Sequence, residues 1–226
     1  MSFKVHFKMN ENLYLRDPEQ SELGKKILTN AVLIIHSAGF EDFTFKKLAA
    51  EIKTGEASIY RYFENKHRLL LYLTTWYWTW LEFRVSFHTN NITDPWEKLK
   101  KVIDLLVITK DDDFTSDTLD IHILHEIIIT EATKVYLTKH VLEDNKQQLF
   151  KPYKDLCSTI ADIIKENNKN YQFCRSLAST LIEMAHFQAY FMKNLPTLTD
   201  FPREGSRQNV VDYLDDLVIG ALKKKK

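Results

Sequence analysis

Apolar residues return every three or four positions along most of this chain, and stretches of strict alternation are short. From Glu19 to Ala38 the positions Leu23, Ile27, Ala31, Ile34 and Ala38 mark one face of a helix, and Gly39 is placed to end it as a left-handed cap. Phe43-Thr44-Phe45-Lys46-Lys47-Leu48 is a start signal. The Thr44 hydroxyl accepts from the free N–H groups of the next turn, while Phe43 before it and Leu48 at the fourth helical position close a hydrophobic staple. This second helix runs to about Ile52 with Phe45, Leu48, Ala49 and Ile52 inward. Lys53-Thr54-Gly55 interrupts the pattern, and a third short helix follows from Glu56 to about Phe63, with Ala57 and Ile59 inward, helped by Tyr60 and Phe63. Two short helices joined by a tight turn and braced by a longer one form a helix-turn-helix pattern.

Asn65 is placed to cap a fourth helix that carries Leu69, Leu70, Leu73, Trp76, Tyr77, Trp80 and Leu81 on a broad stripe to about His88. Asp94-Pro95-Trp96-Glu97 is the clearest cap: Asp94 supplies the acceptor, Pro95 sits where no N–H is needed, and Glu97 is expected to reach back to the cap N–H. That helix should end near Lys110. Acidic Asp111, Asp112 and Asp113 form a loop before Ser116 or Asp117 caps Leu119 to Ile129, with related periodicity through Val135 and Leu142. Gln147 to Lys165, Gln172 to Asn194 and Gln208 to Leu222 supply three further amphipathic helices. The expected fold is all-α, with no sheet. Residues 1–20, where Phe3, Val5 and Phe7 alternate before Asp17-Pro18, form a short extended arm. Residues 21–65 form the helix-turn-helix unit, 66–222 a larger helical domain and 223–226 a basic end.

Composition narrows the classes. The chain has 226 residues, with five Gly, five Pro and two Cys, which excludes collagen-like and disulfide-stapled architectures. Cys157 and Cys174 lack C-x-x-C spacing and read as free thiols in a reducing compartment. No apolar run reaches the roughly 18 residues of a membrane span, and no signal-peptide core follows Met1-Ser2-Phe3-Lys4, so a cytoplasmic location is expected. Thirty-one basic residues balance thirty-one acidic ones, so charge must be read locally. Residues 21–70 hold eight basic and six acidic residues, whereas 71–222 hold sixteen basic and twenty-two acidic. That gradient turns the first unit toward DNA, where positive side chains and exposed helix N-termini hold phosphate and groups at base edges select sequence.

The order Gly39-Phe40, Phe43-Thr44, Leu48-Ala49, Ile59-Tyr60-Arg61-Tyr62-Phe63, Asn65-Lys66 and Leu69-Leu70 resembles the TetR family of bacterial transcription regulators, most strongly from Leu23 to Leu73. The resemblance implies a homodimer that binds a near-palindromic double-stranded operator, as a repressor, and releases it when a small apolar or amphipathic effector enters the C-terminal domain, with no cofactor and no enzymatic activity. It puts Thr44 at the family's phosphate-contacting position, Gly55, Glu56 and Ser58 near bases, Tyr60 and Tyr62 against the backbone, and Lys66 on phosphate. Lys46, Lys53, Thr54 and Arg61 complete the expected DNA-binding set. Lys53 stands where the family usually has glycine, and Gly55 where it has a small polar residue. A lysine in a left-handed turn costs roughly 1 kcal/mol or more, so another turn geometry is expected.

The remaining two thirds follow the family only in helical organisation. Trp80, Phe114, Ile121, Leu124, His125, Ile128, Tyr136, Phe173, Leu177, Met184 and Phe187 are the expected lining of an apolar effector pocket, each alternatively ordinary packing. Leu181, Ala185, Ala189, Val210, Leu214, Leu217 and Val218 mark two helices that close a dimer interface or, alternatively, an intramolecular core. His122, His125 and Glu126 could meet His186 across the bundle, as metal ligands, as anchors for an organic effector or as structural histidines. The competing functions are a ligand-independent DNA-binding or dimer scaffold and, more remotely, a metal-assisted enzyme built on those histidines.

Overall fold

The computed structural model describes residues 3–108 and 114–223. Its helices are α1 (Glu22–Asp42), α2 (Phe45–Glu51), α3 (Glu56–Tyr60), α4 (Lys66–Thr89), α5 (Pro95–Leu106), α6 (Ile121–Glu131), α7 (Thr133–Tyr136), α8 (Val141–Lys146), α9 (Lys151–Asn167), α10 (Cys174–Asn194) and α11 (Arg207–Leu222). The all-α class holds, with one addition. Phe3–Lys4 pairs in parallel with Phe114–Thr115, a two-residue ladder extended by Val5 N–H donating to the Thr115 carbonyl at 3.0 Å. The expectation of no sheet is corrected by this pair. The acidic loop Asp111–Asp113 and the last three lysines lie outside the described residues.

Packing divides the chain into two compact units, residues 1–80 with 110–152, and 81–109 with 153–226. This cuts the chain elsewhere than the 21–65 and 66–222 division read from pattern, because α6 to α8 pack with the N-terminal residues.

In the first unit, α1 starts three residues later than its periodicity suggested. Asp17 caps a 3-10 turn at Pro18–Gln20, and Ser21, in extended conformation, then caps α1 by accepting from Gly24 N–H at 3.1 Å. The buried face of α1 is Ile27, Leu28, Ala31, Val32 and Ile35, rotated from the expected stripe, and Ala38 is exposed. Gly39 turns the chain at φ 80° and ψ 160°, a positive φ that glycine adopts without a Cβ penalty. The α2 signal is realised in full: Thr44 accepts from Lys47 N–H at 3.2 Å, and the stapling side chains of Phe43 and Leu48 are fully buried. Asn65 caps α4 through Arg68 N–H at 2.9 Å. Asp120, rather than Ser116 or Asp117, caps α6, accepting from His122 and Ile123 N–H at 2.9 and 3.1 Å. Ser116 is spent on the preceding turn, accepting from Thr118 and Leu119 N–H.

The N-terminal arm is built into this unit. Met9 and Leu13 are buried, Phe7 meets Trp76 edge-on at 5.4 Å, and Tyr14 meets Tyr72 at 6.1 Å. Glu19 is also buried and accepts from the Trp76 indole N–H at 2.9 Å, with the His6 imidazole on its other oxygen. Burial pushes the Glu19 carboxyl above its usual value, partly offset by the charge of His6.

In the second unit, α5 presents Leu99, Val102, Ile103 and Leu106 to a core shared with α10 and α11. Asp94 caps α5 through Glu97 N–H at 2.8 Å, but Glu97 turns its carboxylate to Lys100 instead of completing a capping box. Arg207 at the start of α11 donates to Asp104 and to the Val107 carbonyl, the latter at 2.9 Å. Burial raises the Asp104 carboxyl, but the hydrogen bond and charge of Arg207, with Lys101, outweigh it and hold Asp104 below the ordinary carboxylate value.

Candidate nucleic-acid interface

Two short helices and the turn between them place most of the expected DNA-binding residues on one open surface. Thr44, Lys46, Lys53, Gly55, Glu56, Tyr60 and Arg61 are exposed, and Thr54 and Ser58 are half-buried. The surface exists because the opposite sides are spent on packing: Phe45, Leu48 and Ala49 of α2 and Ile59 of α3 are buried. Lys53 adopts φ 54°, so the turn keeps its left-handed geometry despite the lysine, contrary to the expected rearrangement. Thr54 N–H donates to the Ala49 carbonyl at 2.9 Å and fixes the turn from the other side. Gly55 begins α3 with ordinary φ of −79°, no side-chain cap, and open space where a Cβ would stand.

Three assignments on this face change. Ala57, expected inward, is exposed, so small side chains and Glu56 form the leading edge of α3. Tyr62 is 2% exposed, and its hydroxyl shares a 2.8 Å hydrogen bond with Ser21; it braces α3 against α1 and does not present its hydroxyl outward. Tyr60 is the outward one, 47% exposed, with its ring edge-on to Phe45 at 5.0 Å. Lys66 is also turned inward: its ammonium donates to the carbonyls of Phe40, Glu41 and Phe43 at 3.0, 2.9 and 3.1 Å and lies 4.7 Å from the Phe40 ring centre. Three carbonyls occupy the three ammonium donors, which removes Lys66 from the phosphate-facing set in this structure.

Sequence pattern missed the arm's reach to this surface. Leu15 N–H donates to the Tyr62 carbonyl at 2.8 Å, and the Arg16 guanidinium lies 5.5 Å from the Tyr62 ring centre, adding an exposed cation beside the end of α3. No local signal marks these pairings, because the partners are more than forty positions apart.

The expected effector residues divide between the two units. In the first, Trp80, Ile121, Leu124 and Ile128 are 0–5% exposed, and His125 shares a 2.8 Å hydrogen bond with the Tyr77 hydroxyl. Tyr136 is half-buried. Glu126 bonds His36 at 2.7 Å. Among the described residues no group of three or more His, Cys, Asp or Glu side chains is arranged to hold a metal ion. In the second unit Leu177 is buried, Met184 and Phe187 are half-buried, and Phe173, 61% exposed, lines an open cleft of about 570 Å³ with Lys165, Lys169 and Arg175. The side chain of Phe114 lies outside the described residues. A second cleft of about 560 Å³ lies between the arm and α4, lined by Lys8, Asn10, Glu11, Thr75, Thr79 and Lys151, and none of the expected apolar residues lines it.

The expected dimer set needs correction by burial. Leu181, Ala185, Val210, Leu214 and Val218 are 0–2% exposed within the single chain, where α10 packs on α11, so these side chains form the core of the second unit. Ala189 and Leu217 are half-buried. Outside that core, Phe187, Tyr190 and Phe191 are half-buried and Tyr213 is exposed, with Phe187 and Phe191 stacked at 5.9 Å.

Among the described residues no helix is long and apolar enough to cross a membrane. The family model for bacterial regulatory proteins of the tetR family matches residues 27–73, the stretch that holds α2, α3 and the start of α4. No curated protein matches the chain. Solved structures share its fold. The transcriptional regulator FadR from Bacillus subtilis in complex with stearoyl-CoA superposes with a TM-score of 0.63 at 17% identity, over 87% of this chain and 97% of that one. The fatty acid degradation regulator FadR from Bacillus halodurans gives 0.61 at 21% identity, over 88% and 96%. AibR in complex with isovaleryl coenzyme A and operator DNA gives 0.60 at 16% identity, over 88% and 98%.

Proposed function

We propose that this chain, a helix-turn-helix regulator of the tetR family by its residues 27–73, binds a near-palindromic operator as a homodimer, represses from it and leaves it when a small apolar or amphipathic molecule binds. The observation that supports this reading is the open surface of α2 and α3, where Thr44, Lys46, Lys53, Gly55, Glu56, Ser58, Tyr60 and Arg61 line one side while the other side is fully packed. Lys46, Lys53 and Arg61 hold phosphate, Glu56 accepts from cytosine N4, and Ser58 reaches a base edge. Two copies joined through the open faces of α10 and α11 would present their α3 helices to half-sites about 34–36 Å apart.

For the effector, the fold neighbours crystallised with stearoyl-CoA and isovaleryl coenzyme A make acyl-CoA thioesters of graded chain length the first class to test. A second reading, regulation without an effector, is favoured by the close packing of Trp80, Ile121, Leu124 and Ile128. Thermal shift across an acyl-CoA series separates the two, since a bound ligand raises the melting temperature and then weakens DNA binding.

The DNA-binding test is selection of duplexes from a random pool, followed by titration at several salt concentrations. Lys53→Ala and Arg61→Ala are each expected to lower affinity and to reduce the slope of log K against log salt by about 1. Slopes identical to that of the unaltered protein in both variants would remove these residues from the interface.

A further inference from the structure

The corner between α1 and α2, residues 40–43, sits directly before Thr44, the N-cap of α2. Phe40 to Asp42 continue α1 as a short helical turn beyond the Gly39 kink, and Phe43 is extended. Gly39 breaks the helical path at φ 80° and frees the Phe40 N–H from the α1 ladder. That N–H donates to Glu131 Oε1, at the C-terminal end of α6, at 3.2 Å. Glu131 is 8% exposed, and its other carboxylate oxygen accepts from Lys134 of α7 at 2.5 Å. Lys134 also reaches the Glu41 carboxylate at 3.2 Å. From the opposite side, Lys66 binds the carbonyls of Phe40, Glu41 and Phe43. The corner is thus held by its N–H from α6 and by its carbonyls from α4.

We propose that Glu131 is a positioning residue for the DNA-facing start of α2, with Lys134 holding the Glu131 carboxylate in place. The inference rests on the regulator reading above and adds a second connection to it. Helix α6 carries Ile121, Leu124, His125 and Ile128, four of the side chains expected at an effector site, on the same eleven-residue rod that ends in Glu131. One turn earlier, Glu126 bonds His36 of α1 at 2.7 Å, and Thr29 of α1 donates to the Thr118 carbonyl just before α6 at 2.7 Å. A displacement of α6 would therefore act on the Phe40 N–H, and through the corner on Thr44 and Lys46, against the hold of Lys66 of α4 on the neighbouring carbonyls. Lys46, exposed in the first turn of α2, is the group whose phosphate contact such a shift would misplace.

The experiment compares Glu131→Ala, Glu131→Gln and Lys134→Met in the full chain by amide exchange and by titration with a duplex selected by the unaltered protein. Glu131→Ala should speed exchange at Phe40 through Lys47 at least tenfold and weaken the selected duplex by a similar factor. Glu131→Gln keeps an acceptor oxygen and should recover binding to within about threefold. The decisive reading is a double-mutant cycle with Lys46→Ala. If Glu131 acts through the start of α2, Lys46→Ala weakens binding several-fold in the unaltered chain and less than twofold beside Glu131→Ala. Additive losses, or unchanged exchange at Phe40 with full duplex binding, would overturn the proposal. Should Glu131→Ala not fold, Lys134→Met supplies the same comparison with the Phe40 bond retained, and an intermediate loss of binding is expected. An unaltered protein that selects no duplex would instead sink the regulator reading, a result separate from the exchange measurement.

Discussion

His186 is a single residue with a measurable signature. It is 3% exposed on α10, and burial lowers its imidazole pKa to about 4, against an ordinary value near 6.5. The folded chain favours the neutral ring, so its contribution is fully present above about pH 6.5 and is lost as pH falls toward 4. The shift corresponds to about 3 kcal/mol. Urea denaturation at pH 7.5 and pH 4.5 should therefore show a stability loss that His186→Gln reduces by an amount of that order. An unchanged loss in the variant would mean that the buried ring is not what titrates. Lys53 is the opposite kind of residue, one that stores cost in a surface turn: its φ of 54° is unfavourable for any side chain, yet it places a cation at the tip between α2 and α3.

Among the elements, the N-terminal arm is joined to α1 at a point with no free space. A Cβ at Gly24 would lie 2.2 Å from the Pro18 carbonyl oxygen and 2.6 Å from Pro18 Cα, both backbone atoms that cannot rotate aside. Gly24→Ala is expected to cost about 1–3 kcal/mol and to displace the turn at Pro18–Gln20, seen as faster amide exchange across residues 5–20. Exchange as slow as in the unaltered protein would show that the arm docks independently of this contact. The contrast between α2 and the arm shows what local pattern carries. Thr44, Phe43 and Leu48 act within five residues of one another, so their spacing alone specifies the start of α2. The arm's contacts run from Asn10 to Gln147 and from Leu15 to Tyr62, separations at which one sequence holds no periodic trace. The start of α6 was misread for a different reason: Ser116, Asp117 and Asp120 are all competent caps, and only the turn that Ser116 closes decides among them. Lys66 was readable as a cation near a helix start, but nothing in its neighbours tells that three carbonyls lie within its reach.

For the molecule as a whole, the proposed dimer divides the apolar faces of α10 and α11 between those buried inside one chain and those left for a second copy. Periodicity marks both kinds alike, which is why Leu214 read as interface although it is fully buried in the protomer. Leu214→Ala is accordingly expected to cost about 2–5 kcal/mol of protomer stability, measured by denaturant unfolding, rather than to split a folded dimer. In the proposed homodimer, replacing Phe191 and Tyr213 together by Glu should have the reverse effect, leaving helical content intact by circular dichroism while sedimentation shows monomers. A folded dimer in the second variant would place the contact elsewhere.

The Trp76 indole beneath the arm offers a way to watch that arm directly. With its N–H on a carboxylate and a phenyl edge against its ring, this fluorophore sits in surroundings that exist only while residues 7 and 19 are seated. With Trp78, Trp80 and Trp96 replaced by Phe, lifting the arm would exchange both for water and shift the remaining emission to the red, which reports whether the N-terminal segment is seated.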